Sequence, residues 1–322
     1  MTFDLARELD LAPRLFDGAV GTQLLVSGFD PKRDLLGDKG PLALNLTRPE
    51  QVRAVHESYL DAGSHWITTN TFAASPADLV QQGLSERGDR LVDAAVAAAR
   101  EAVDAWRGDV PDARVLGSIG PGWTPDATAA GERAADALEL ARRLVGGGVD
   151  GLLLETITRL DHLRVVYASL RELADREGLA VIASVAFGPD GRLADGASAA
   201  DVAAWARSVE PVLLSTNCGR GPDDTERDLA ALREHWSGPL AASPTAGLPA
   251  GDDLSTFPVD AEAFADRVAP WIERFDLVAL GGCCGTSPRH LARVSDALGL
   301  ERHWVLPDED DDEFDDDGGG EG

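Results

Sequence analysis

The chain has 322 residues, 44% of them hydrophobic and 26% charged, which is enough apolar material for a sizeable core and too much for global disorder. Its 56 acidic residues outnumber 29 basic ones for a net charge of −27, a field that repels a phosphate backbone and excludes nucleic acid as a partner. No run of about 18 apolar residues is present to cross a membrane, and Met1 to Asp10 carries acids where a secretory leader needs a basic and then an apolar stretch, so neither secretion nor membrane contact is expected and the location reads as cytoplasmic.

Ten of the acids lie between Asp308 and Gly322, so the rest of the chain still carries −17 and its whole surface must be acidic. Such self-repulsion is screened where the Debye length falls to about 3 Å, near 1 M salt. A salt-rich cytoplasm, as in a halophile, fits; so does an ordinary acidic cytosolic enzyme. The terminal acidic run reads as a solvated, disordered tail over 305–322.

Short aliphatic or β-branched runs mark eight strands: Arg14 to Gly21, His65 to Phe72, Ala113 to Pro121, Gly151 to Ile157, Ala180 to Gly188, Pro211 to Gly219, Pro239 to Thr245 and Asp276 to Gly285. The runs are continuous rather than alternating, as expected for parallel strands covered on both faces. Amphipathic stretches separate them: Pro49 to Ala62, Arg90 to Trp106, Glu132 to Val145, Leu160 to Glu177, Ala199 to Val209, Thr225 to Trp236 and Ala261 to Phe275. Pro49 and Pro288 suit first helical turns, and Gly63 and Gly178 suit helix ends. Gln23 to Arg48 and Ala246 to Pro258 read as long loops. Eight strand-helix alternations in this length predict a single α/β domain, a (β/α)8 TIM barrel over residues 1–304.

In such a barrel the functional groups sit at the C-terminal ends of the strands. Those ends carry Asp17 and Gly18, Thr69 to Thr71, Glu155 and Thr156, Asn217 and Cys218, and Cys283 and Cys284. All three cysteines of the chain thereby face one mouth. Three readings compete with a metal site: small buried hydrophobes, a disulfide between adjacent Cys283 and Cys284, and a cysteine nucleophile with a histidine base such as His290. The first explains one cysteine better than three, the second is strained, and no histidine lies in a recognisable nucleophile motif. Three thiolates suit Zn2+, which takes sulfur in a tetrahedron and leaves a fourth position for water or substrate. A centre that rich in thiolate favours thiol alkylation over water activation.

DGAVGTQL (Asp17 to Leu24), YLDAGSHWITTNTF (Tyr59 to Phe72), GSIGP (Gly117 to Pro121), DGLLLETI (Asp150 to Ile157), NCGRGP (Asn217 to Pro222), TAGLP (Thr245 to Pro249) and GGCCGTSPRH (Gly281 to His290) resemble the homocysteine S-methyltransferase family. The resemblance implies Zn2+ held by Cys218, Cys283 and Cys284, which activates the homocysteine thiol for attack on a methyl group to give methionine. It also implies that Asp17 and Glu155 receive the amino group of homocysteine, with Gly18, Ala19 and Thr69 near its carboxylate. Asn70, Thr71 and Asn217 read as residues that fix loops by hydrogen bonding. Betaine-using relatives carry aromatic side chains where this chain has Ala73 and Thr156, which disfavours that donor, and Trp123 is a lone aromatic in the loop after GSIGP. The Asp-x-His-x-x-Gly pattern of base-off cobalamin domains is absent. The expected methyl donor is therefore a methylated corrinoid on a separate protein or a free sulfonium compound. NCGRGP and TAGLP favour the former because they resemble the methionine-synthase branch.

Overall fold

A computed structural model describes residues 5–11, 13–28, 40–122, 129–209, 213–249 and 256–302. Trp123, parts of both long predicted loops and the acidic tail lie outside them. In chain order the main elements are α1 (Leu5–Asp10), β1 (Arg14–Leu15), α2 (Val20–Val26), α3 (Pro49–Asp61), β2 (Trp66–Thr68), α4 (Gly88–Ala105), β3 (Arg114–Ile119), α5 (Ala130–Gly146), β4 (Gly151–Ile157), α6 (Leu160–Glu177), β5 (Ala180–Val185), α7 (Ala199–Ser208), β6 (Leu213–Cys218), α8 (Pro222–His235), β7 (Leu240–Pro244), α9 (Ala261–Val268), β8 (Leu277–Leu280) and α10 (Pro288–Leu298).

All strand pairings are parallel, in the order β1-β8-β7-β6-β5-β4-β3-β2. A single bridge between Phe16 and Trp66 joins the two ends of that order. The result is a nearly closed (β/α)8 TIM barrel, as the strand-helix alternation predicts.

Local chemistry places the ends of the helices. Ser198 and Asp201 form a reciprocal capping box on α7, the Asp260 carboxylate caps α9, and Pro288 opens α10. Gly178 and Gly299 end α6 and α10 in the left-handed conformation. Three expectations are corrected. The first strand stops at Leu15 instead of running to Gly21, because the chain turns outward at Asp17 to enter α2. The stretch Ala261 to Phe275 is broken in two at Pro270, which has no N–H to continue the helix. Within the predicted loop Gln23 to Arg48, α2 reaches Val26 and helical turns occupy Pro41–Ala43 and Leu44–Thr47.

Inside the barrel one apolar residue from each strand or its immediate end meets in a separate core: Phe16, Trp66, Leu116, Leu153, Ile182, Leu213, Ala241 and Ala279. Phe16 and Trp66 pack edge to face at 4.8 Å. The alanines of β7 and β8 leave room for these two large rings. Below this layer α1 sends one side chain to the start of the strands. Its Glu8, 1% exposed, pairs with Arg14 at 3.2 Å and Arg114 at 3.1 Å, both contributed by strands.

Candidate metal centre and substrate pocket

Side chains alternate along a strand, so positions two residues beyond the apolar layer also face the barrel interior. They are Thr68, Ser118, Glu155, Ser184, Ser215 and Ser243, and all of them line a cavity of about 500 Å3 that opens at the C-terminal face. Phe16 and Leu153 from the apolar layer also line it, as do Asp17, Gly18, Ala19, Thr69, Cys218, Cys283 and Cys284. Every residue singled out from sequence as a ligand or substrate contact therefore borders one cavity.

The cysteines arrive from two strand ends. Cys218 ends β6 with a φ of 67°, followed by Gly219 at 77°, so the strand turns sharply there. Cys283 and Cys284 sit in the loop after β8. Between these two segments runs the end of β7. Thr245 donates its N–H to the Cys218 carbonyl at 3.2 Å and its hydroxyl to the Cys284 carbonyl at 2.7 Å, and Cys283 donates its N–H to the Pro244 carbonyl at 2.9 Å. A cysteine pair distant in sequence from the third is thus fastened to it through main-chain contacts.

The Cys218 and Cys284 sulfurs are 4.0 Å apart, as are those of Cys283 and Cys284, and all three lie within 4.8 Å of one another. A disulfide would bring two of them to about 2 Å, and all three thiols are free. Ligand sulfurs about 2.3 Å from a tetrahedral Zn2+ stand about 3.8 Å from each other, so this spacing fits such an ion. The contacts among the three sulfurs also shift their ionisation. Hydrogen bonds from Cys218 and Cys283 pull the Cys284 thiol down to about 3. Cys283 is pushed far above the ordinary thiol value by its contacts with Cys218 and Cys284 and by burial. In Cys218 the contact with Cys283 lowers the value, but Cys284 and burial outweigh it and push it up to about 12. Neighbouring sulfurs oppose one another's ionisation, and a cation between them is what lets all three ionise.

Two carboxylates face the same cavity. Asp17 accepts from the Thr68 N–H at 2.7 Å and from the Thr68 hydroxyl at 3.0 Å. Burial nevertheless raises its pKa well above the usual carboxylate range, with those two bonds opposing and Glu155 adding to the rise. Glu155 accepts from the Ser118 hydroxyl and is pushed up to about 7, chiefly by burial. Among the described residues no cationic side chain is bonded to the buried Asp17 or the half-buried Glu155, so the pair is disposed to receive a positively charged group. Thr69 lines the cavity, but its hydroxyl is engaged with Thr71 at 2.7 Å and accepts from the Ser118 N–H at 3.1 Å, so the hydroxyl that reaches Asp17 belongs to the adjacent Thr68. The Ala19 N–H donates to the Thr286 hydroxyl at 3.2 Å.

Loop-fixing contacts account for the polar residues around the rim. Asn70 donates to the Pro41 carbonyl and to Asn45, holding the wall formed by Pro41 and Leu42. His290 spends both ring nitrogens on Ser287 and the Val259 carbonyl, which removes it as a base for a cysteine. Phe72, 42% exposed at the rim, is an aromatic wall that sequence reasoning did not single out, as it did not single out Thr68, Ser118, Thr245 and Thr286. The inward period of two along the strands carried a signal for Thr68 and Ser118. The two loop threonines lie within TAGLP and GGCCGTSPRH, motifs that marked their segments but not their bonds.

A family model described as homocysteine S-methyltransferase matches residues 14–298. The methionine synthase of Mycobacterium tuberculosis is 32% identical over 306 residues, covering 92% of this chain and 25% of that protein. That of Mycobacterium leprae is 30% identical over 317 residues, covering 94% of this chain and 26% of the relative. The chain thus spans about a quarter of the length of these curated relatives. Among solved structures, the metallated form of the homocysteine methyltransferase MmuM from Escherichia coli superposes with a TM-score of 0.74 at 24% identity, over 91% of this chain and 99% of the other, a likeness of fold. Its oxidized form gives 0.72 at 25% identity, with the same coverage.

Proposed function

The chain belongs to the homocysteine S-methyltransferase family, and we propose that it transfers a methyl group to the thiol of L-homocysteine to form L-methionine. The observation that carries this reading is the cavity itself, where three sulfurs within 4.8 Å of one another share one space with the Asp17 and Glu155 carboxylates. Cys218, Cys283 and Cys284 would hold Zn2+, which when bound acts as a Lewis acid that keeps the substrate thiol in its nucleophilic thiolate form near neutral pH.

Asp17 and Glu155 take the substrate's ammonium group, and its charge draws both acids into their ionised forms. Thr68 and Ser118 aim the two carboxylates by donating to them. Gly18 and Ala19, with Thr69, border the space for the substrate carboxylate. The apolar floor of Phe16 and Leu153 excludes water beneath the substrate chain. In the transfer, the sulfur attacks the methyl carbon, a sulfur–carbon bond forms as the donor–methyl bond breaks, and the donor keeps the electron pair. The thiol proton leaves to solvent.

Ala73 and Thr156 line the cavity where an aromatic cage for a quaternary ammonium would stand, which disfavours betaine. The donor is a methylated corrinoid carried by another protein, or else a sulfonium compound. A second reading follows from the chain's matching only a quarter of the methionine synthases: a zinc- and homocysteine-binding subunit that turns over only with a methyl-corrinoid partner protein. The barrel through residue 304, the acidic tail from 305 and a salt-rich cytoplasm complete the proposal. Among the described residues no helix is long and apolar enough to cross a membrane.

Zinc K-edge absorption on the purified protein in high salt, with and without homocysteine, tests the reading. The expected result is replacement of a light-atom ligand by a fourth sulfur. An unchanged spectrum would reduce the claim to a metal-binding barrel.

A further inference from the structure

Asn217 occupies the barrel interior between the two halves of the site, 6% exposed. Its Oδ1 accepts from the Thr156 N–H at 2.9 Å and from the Ser184 hydroxyl at 2.7 Å. Because a backbone N–H can only donate, the atom facing Thr156 N must be Oδ1, and the amide orientation is settled by this bond. Nδ2 therefore points the other way, donating to the Thr156 hydroxyl at 2.8 Å and standing 3.8 Å from Cys283 Sγ, within N–H···S reach. Two donors and two acceptors are all engaged, so the side chain cannot rotate without losing several bonds at once.

Its partners are not ordinary loop residues. Thr156 follows Glu155 and holds a φ of 59°, a left-handed conformation that a β-branched residue rarely adopts. The turn that aims Glu155 into the cavity is thus held from β6, past β5, by the same amide that faces a sulfur. Resting on the metal reading above, we infer that Asn217 is a positioning residue that couples the two ends of the site: it fixes the Cys283 thiolate by an N–H···S contact and fixes the Glu155–Thr156 turn by bonds to Thr156. Neither role needs Asn217 to touch substrate. One amide sets the separation between the sulfur end and the ammonium end of the cavity, and so the length of thiol amino acid that fits between them.

The decisive variant is Asn217→Asp, which keeps the shape and the acceptor for Thr156 N–H but turns an oxygen toward the Cys283 sulfur. Cobalt(II) titration reads the outcome through the thiolate-to-metal absorption band, and competition with a chromophoric chelator reads affinity. Wild type is expected to bind one ion and show the band. In N217D the affinity is expected to fall 10- to 100-fold, in the range typical of lost partners to metal ligands, with the band moved to lower energy because the sulfur lone pairs are no longer stabilised by a donor. Ser184→Ala removes one bond to Oδ1 and is expected to show a smaller loss in the same direction. Wild-type affinity and band position in N217D, or in S184A should N217D fail to fold, overturn the inference. A wild-type protein that shows no cobalt-thiolate band removes the metal reading instead, and the inference with it.

Discussion

Thr286 fills the space above Gly18. A Cβ on Gly18 would stand 2.7 Å from Thr286 Oγ1 and 2.8 Å from the Tyr59 hydroxyl, inside any real van der Waals contact. The same threonine accepts from the Ala19 N–H and donates to the Cys283 carbonyl at 2.7 Å, while Tyr59 donates to the Thr286 carbonyl at 3.2 Å. The loop after β8, which bears two of the three sulfurs, therefore leans on the loop after β1, which bears Asp17. Gly18→Ala is expected to push these loops apart, costing about 1–3 kcal/mol of stability and weakening metal and homocysteine binding together. Chemical denaturation combined with metal titration checks it; a variant that folds as wild type and binds both normally would show that Thr286 moves aside freely.

Glu155 supplies a pH dependence with a definite sign. Its folded pKa, near 7, lies above the ordinary carboxylate value, so the folded protein holds this proton where an unfolded chain has released it. The stability it contributes is fully present below the ordinary carboxylate range and is lost as pH rises through about 7. Binding of an ammonium group runs the opposite way, since it needs the ionised acid, so homocysteine affinity should climb through the same window. Glu155→Gln should flatten both profiles and lower affinity about tenfold or more, as read by calorimetry and urea denaturation at pH 5 to 8. Parallel profiles for the two proteins would place the titration elsewhere.

At the opposite end of the barrel, Glu8 stands between Arg14 and Arg114, and Arg14 also meets Asp112 at 2.5 Å. Glu8→Gln removes the charge shared by two buried guanidinium groups and is expected to destabilise the fold by about 3–5 kcal/mol, nearer the lower figure because Asp112 stays. The folded variant should still bind metal as wild type, because the apolar layer from Phe16 to Ala279 separates the base from the site. A loss below about 1 kcal/mol would mean that Glu8 does not anchor α1 to these strands.

The strand-helix alternation, the continuous apolar runs and the placement of Asp17, Glu155 and the cysteines at one mouth of the barrel were all legible in the sequence, although β8 stops at Leu280 and leaves Cys283 and Cys284 in the loop beyond it. They depend on local pattern: burial on both faces of a parallel strand leaves an unbroken apolar run, and the barrel rule then assigns the strand ends to one mouth. Strand alternation then determines which side chains rise above the interior layer, as Leu153 and Glu155 show two residues apart on β4. What only the tertiary structure decided is which of two adjacent threonines reaches Asp17, how Thr245 and Thr286 tie the cysteine loops together, and that Asn217 spans from Thr156 to Cys283. Such contacts join distant positions, 39 apart for Thr245 and Cys284 and 267 apart for Ala19 and Thr286, and the barrel closure that makes them neighbours depends on the registers of all eight strands together.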